Sequence, residues 1–110
     1  MPEAIEIQLK KGALELCVLA LLHQRDNYAY EIASALADAI GMGEGTIYPL
    51  MRRLQAERLV ETYLEESPSG PPRKYYRLTD AGRQSFNSQK DAWSSFSSAV
   101  DQIVFGRAKV

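Results

Sequence analysis

At 110 residues, 45% hydrophobic and 25% charged, the chain is sized for one compact core and lacks the charge-biased composition of disordered segments. Its most apolar run, residues 14–22, is interrupted by Glu15 and has about half the roughly 20 residues a membrane span requires; the lone Cys17 excludes an internal disulfide. A net charge of −1 argues against nucleic-acid binding unless the cations gather locally.

Residues 1–10 carry Glu3, Glu6 and Lys10 and no apolar run ahead of a small-residue cleavage site, so no signal peptide is expected, and the protein is placed in the cytoplasm without membrane attachment. Over 11–24, Leu14, Val18, Leu21 and Leu22 recur on one stripe and predict a first helix that is nearly all core, with Cys17 a buried structural thiol. Asn27 is placed to cap a second helix over 28–40, whose buried edge is Ile32, Leu36 and Ile40 and whose alanines permit close helix packing.

Gly41, Gly43 and Gly45 stop that helix in a tight turn. No strand precedes them and no Lys-Ser/Thr pair follows, so they do not read as a phosphate loop. A third helix over 46–58 buries Ile47, Leu50, Met51 and Leu54, and Pro49 requires the helix to begin near Gly45 or Thr46. Its opposite side exposes Gly45, Pro49, Arg52 and Ala56, flanked by Tyr48 and Arg53. That side is shallow and basic.

From Val60 the pattern alternates, which predicts a strand; residues 67–72 are turn-rich, and 73–78 read as a returning strand of a hairpin with a mobile tip. Arg73, Lys74 and Arg77 supply three cations without an intervening acid, which answers the objection from net charge. Tyr75 and Tyr76 point to opposite faces, Tyr76 to the core and Tyr75 outward. Thr79 is an N-cap and Asp80 complements the dipole of a long fourth helix. On it Phe86, Trp93, Phe96, Val100 and Ile103 are spaced by seven, three, four and three, the seam of a coiled-coil-like homodimer interface, with Gln89 in the vacant position.

Three helices, a two-stranded β-wing and a terminal helix make an α+β, mainly α, winged helix-turn-helix: residues 1–78 as the DNA-binding unit and 79–110 as the dimerisation helix, packed as one compact body. Thr46, Tyr48, Arg52, Arg53, Arg73, Lys74 and Tyr75 are the expected contacts to double-stranded DNA, the wing cations setting strength and Arg52 specificity. With one histidine, His23, at a helix end and no base near the serines of the fourth helix, neither catalysis nor a metal or cofactor is expected. The rival reading is a winged-helix protein-interaction module without specific DNA binding.

Two stretches, Gly45-Thr46-Ile47-Tyr48-Pro49-Leu50 through Arg52-Arg53-Leu54 and Arg73-Lys74-Tyr75-Tyr76-Arg77-Leu78-Thr79 with Gly82, resemble the recognition-helix and wing signatures of PadR-like transcriptional regulators. Tyr28-Ala29-Tyr30-Glu31-Ile32 is similar to the start of the family's second helix, so the resemblance spans about residues 11–93. The chain is most like the shorter subclass, with a single C-terminal dimerisation helix. A dimer places its two third helices on a near-palindromic operator, and the resemblance implies a repressor relieved by a small, planar aromatic or hydrophobic effector beside Trp93, with Phe96 a further candidate contact. The residues themselves leave open whether Trp93 is a ligand platform or only interface. The wing tip, rich in proline, is stiffer than the family's glycine-rich tip.

Overall fold

The computed structural model describes residues 2–107, so the end of the expected second unit, 108–110, lies outside it. Helix α1 spans Pro2–Gln24, strand β1 Asn27–Tyr28, helix α2 Ala29–Ile40, helix α3 Glu44–Ala56, strands β2 Val60–Ser67 and β3 Gly70–Leu78, and helix α4 Asp80–Val104. Among the described residues this is a mainly helical winged-helix fold of four helices and one antiparallel sheet, and none of its helices is long and apolar enough to cross a membrane.

Helix α1 begins nine residues earlier than the apolar stripe announces. Pro2 suits a first helical position, where its missing N–H has no helical partner, and no glycine interrupts the helix until Gly12. Helix α2 stops at Gly41, which takes a left-handed φ of 71° and whose amide donates to the Ala37 carbonyl at 3.0 Å. Asn27 does not cap α2. Tyr28 occupies that position without a side-chain cap, while the Asn27 Oδ1 accepts from the Tyr28 N–H at 3.0 Å.

Helix α3 starts at Glu44, which places Pro49 in its second turn rather than its first. The proline has no N–H to offer the Gly45 carbonyl, one turn behind, and its ring lies along the solvent side, where water can serve that carbonyl.

The sheet order is β1-β3-β2. The turn-rich stretch is shorter than its composition suggests: β3 already begins at Gly70, Ser67 pairs with Gly70, and an irregularity between Glu65 and Ser67 absorbs one residue. Pro71 and Pro72 are tolerated because β1 pairs with β3 only at Tyr75 and Tyr76, leaving the prolines on an open edge. The two-residue β1, paired Asn27 to Tyr76 and Tyr28 to Tyr75, is a third strand that the sequence pattern does not announce.

One core joins all the layers: Val18 and Leu19 of α1, Ile32 and Leu36 of α2, Ile47, Met51 and Leu54 of α3, Val60, Tyr76 and Leu78 of the sheet, and Phe86 of α4. Cys17 is only half-buried, and burial pushes its thiol above the ordinary range, toward the inert protonated form.

Helix α4 is held by its first turn. Thr79 accepts at Oγ1 from the Gly82 N–H at 3.0 Å and donates from the same hydroxyl to the Arg58 carbonyl at 2.7 Å, so one side chain caps α4 and ties it to the end of α3.

Candidate nucleic-acid interface

The inward stripe of α3, Ile47, Met51 and Leu54, is fully buried, and this fixes the rotation of the helix. Gly45, Thr46, Pro49, Arg52 and Ala56 are consequently exposed, giving a low surface on which only Thr46 and Arg52 carry polar reach. Tyr48 is half-buried at the edge of this surface; burial first and the nearby Glu44 carboxylate second push its phenol above the ordinary range. Leu50, expected in the core, is half-buried instead.

The two adjacent arginines are committed differently. Arg52 is exposed and has no ion-pair partner among the described residues. Arg53 donates from Nη2 to Glu15 on α1 at 2.6 Å and from Nη1 to Glu57 at 2.9 Å. Of the expected contact pair, Arg52 alone is available without breaking an existing bond, because a turn of about 100° per residue carries Arg53 to the flank facing α1.

The wing divides its cations between its two faces. In the β2–β3 register Val60, Thr62 and Leu64 share a face with Leu78, Tyr76 and Lys74, the face that contributes Val60, Tyr76 and Leu78 to the core. Lys74 lies on it with Nζ 5.5 Å from the Tyr76 ring centre. Arg73, Tyr75 and Arg77 occupy the other face, so the run of cations is not one patch.

On that outer face Tyr63, Tyr75 and Tyr28 lie in one row, with ring centres 5.7 and 5.5 Å apart. Arg73 covers Tyr28 at 4.7 Å and Arg77 covers Tyr63 at 5.0 Å, and Arg77 also donates from Nε to Glu61 at 2.9 Å. The Tyr63 hydroxyl donates to Asp26 at 2.8 Å, a bond that, with some burial and the Asp26 charge, pushes its phenol up to about 12. Tyr28 likewise donates to Glu31 at 3.0 Å. Tyr75 is therefore the centre of an aromatic row and only half-exposed. Tyr28, Tyr63 and Asp26 had no recognisable spacing signal, since strand pairing alone brings them together.

The apolar stripe of α4 is not uniform either. Phe86, expected at the dimer seam, is only 7% exposed and stacks on His23 at 4.5 Å, so it belongs to the protomer's own core. The reason is that α1 packs along the start of α4. Trp93, Phe96, Val100 and Ile103 lie farther along, and Phe96 at 64% and Ile103 at 69% exposure have no cover within the protomer. Trp93 closes one side of a hollow of about 280 Å³ lined by Leu9, Lys10, Ala13, Leu16, Cys17 and Ile40.

With this geometry in place, comparison with known proteins decides the family. Residues 18–88 match the model of the Transcriptional regulator PadR-like family. The chain belongs to that family. It is similar to a PadR-like transcriptional regulator from Bacillus cereus, with 38% identity and a TM-score of 0.82 over 88% of this chain and 96% of that one. A PadR family regulator from Eggerthella lenta is 32% identical with a TM-score of 0.80, covering 93% and 90%. The fold is also shared with Bacillus subtilis PadR in complex with operator DNA, at 24% identity and a TM-score of 0.61 over 69% of this chain and 45% of that one.

This PadR-like chain is thus a transcriptional regulator and not an enzyme. Within it, Thr46, Tyr48 and Arg52 come together on α3. Arg53 faces α1, and Arg73 and Tyr75 lie on the sheet face opposite Lys74.

Proposed function

We propose that this PadR-like regulator binds a near-palindromic duplex operator as a homodimer and represses transcription from it. Helix α3 enters the major groove, with Arg52 and Thr46 reaching base edges or phosphates and Tyr48 at the rim; Lys74 and Arg73 meet the flanking backbone from the two faces of the wing. The observation that carries this reading is the exposed Arg52, without an ion-pair partner among the described residues, on a surface lowered by Gly45, Pro49 and Ala56, which lets backbone approach backbone. The complex of Bacillus subtilis PadR with operator DNA supports it by analogy of fold.

The second copy docks on the exposed part of α4, through Trp93, Phe96, Val100 and Ile103, where an uncovered apolar row on a helix otherwise rich in serine and charge needs a partner. The two reading helices then address half-sites about 34 Å apart. A flat aromatic or hydrophobic effector fits the hollow beside Trp93, with Phe96, which is not part of its lining, a turn farther along α4, and its binding shifts operator affinity.

A protein-interaction module is the alternative, favoured by the commitment of Arg53 and Arg77 to carboxylates and by the net charge of −1. Fluorescence anisotropy with duplex DNA at low and high salt separates the two. Salt-dependent binding, with the slope reduced by about one on Arg52→Ala, supports DNA reading, and no binding in dilute buffer rejects it.

A further inference from the structure

Glu15 stands where three helices meet. Its Oε1 accepts from Arg53 Nη2 of α3 at 2.6 Å, and its Oε2 accepts from Gln89 Nε2 of α4 at 2.7 Å. The Gln89 amide is itself steadied by Ser85 Oγ at 2.9 Å, and Arg53 by Glu57 at 2.9 Å. Beyond the start of α4, where Thr79 ties it to the end of α3, the two helices have few direct contacts, and a hollow of about 470 Å³, bordered by Gly12, Thr46, Pro49 and Leu50, opens over this bridge. The shared core and the Thr79–Arg58 tie fix where α4 starts, and the polar bridge is the direct link from α1 to both α3 and α4 farther along.

Gln89 takes the place in the α4 stripe where an apolar residue would continue the series from Phe86 to Trp93. It also marks the border between the part of that stripe buried in the protomer and the part left open. An amide there gives up apolar burial and gains a directed bond to α1.

We propose that Glu15 is a positioning residue for DNA reading: by holding Arg53 with one oxygen and Gln89 with the other, it fixes α3 relative to the open end of α4. It thereby fixes the separation of the two reading helices in the dimer. This rests on the DNA-binding dimer proposed above.

The leverage follows from helix geometry. From Gln89 to Ile103 α4 rises about 21 Å, so a swing of about 10° at Gln89 displaces its far end by about 4 Å. That is close to the rise of about 3.4 Å per base pair. Loss of the bridge therefore lets the half-site separation wander by a base pair or more. The side chains of Arg53 and Glu15 are 49% and 25% exposed, so the ion pair adds little to stability and its effect is directional.

Selection from a randomised duplex library, with intact protein, tests this. Wild type is expected to enrich paired half-sites at one spacing. Gln89→Ala and Glu15→Ala are expected to enrich the same half-site over a spread of spacings, with affinity at the wild-type spacing reduced about tenfold and the unfolding midpoint near that of wild type. Glu15→Gln, which keeps an acceptor for Arg53 and can bond a turned Gln89 amide, is expected to restore the single spacing. A Gln89→Ala protein that selects the wild-type spacing with wild-type affinity overturns the positioning role alone. Wild type that enriches nothing and shows no salt-dependent binding removes the DNA reading and the positioning role with it.

Discussion

Gly82 stands directly against the Leu59 carbonyl: a Cβ at Gly82 would overlap that oxygen and also press on Leu78 Cδ2 at 3.1 Å. The same carbonyl accepts the Thr79 amide at 3.1 Å, so it cannot move away without loosening the start of α4. The absence of a side chain at this one position is what allows α4 to leave the sheet close beside the end of α3.

Gly82→Ala is expected to destabilise the protein by about 1–3 kcal/mol, although alanine is the better helix former by about 1 kcal/mol, because the steric overlap outweighs the propensity gain. Chemical denaturation measures this. A stability equal to or above wild type would show that the α4 start can shift at no cost.

Arg58 is the one non-glycine among the described residues with positive φ, at 61°, in the turn that leads from α3 to β2. Its amide donates to Gln55 and its carbonyl accepts from Thr79, so the backbone conformation is locked from both sides. Arg58→Gly removes a penalty of about 1–2 kcal/mol for the left-handed region. It adds back up to about 1 kcal/mol of unfolded-state entropy. A net gain of up to about 1 kcal/mol is expected, read as a higher denaturation midpoint. A clear loss would mean that the arginine side chain makes its own contribution.

The Phe86 and Phe96 rings divide along the α4 stripe, and their truncation should divide with them. Phe86→Ala, which empties a core site against His23, is expected to cost about 3–5 kcal/mol at any protein concentration. Phe96→Glu is expected to leave the protomer folded and shift its mass in sedimentation from dimer to monomer. Dimers that persist in Phe96→Glu would place the second copy on another surface.

The Tyr63–Asp26 bond has a titration signature. A phenol whose folded value is raised from 10.0 to about 12 stabilises the fold fully below pH 10 and loses that contribution as pH rises through about 12. In an absorbance titration of the six tyrosines, a late-ionising fraction is expected in wild type, and Asp26→Ala should bring it back toward 10. An unaltered curve would remove the bond from solution.

Glu15 titrates in the opposite sense. Partial burial pushes its carboxyl up, but the bonds from Arg53 and Gln89, together with the Arg53 charge, outweigh burial and hold it below its ordinary 4.5. Its stabilisation is therefore full above that range and is lost as pH falls through the lowered value. The acid limb of a stability profile should be flatter in Glu15→Gln, by a small amount because the pair is partly exposed. An identical acid limb would indicate that the bridge is open in solution.

Apart from the two-residue β1, element type and order were legible in the chain because periodicity is a local property. The 3.6-residue stripes of α2 and α3, the alternation from Val60, the glycine stop at Gly41 and the Thr79 cap each follow from neighbours a few residues apart. The shallow side of α3 was legible for the same reason, since burying Ile47, Met51 and Leu54 leaves Arg52 nowhere but outside.

Only the tertiary structure decided how those surfaces are used. Pairing of two residues of β1 with β3 made the tyrosine row, the pleat sent Lys74 and Arg73 to opposite faces, and the packing of α1 on α4 took Phe86 into the core. Arg52 and Arg53 are the same residue type one position apart. Arg53 has Glu57 as a local partner one turn on, but the carboxylate that ties it to α1 lies 38 positions away, and no local pattern can encode a partner at that distance.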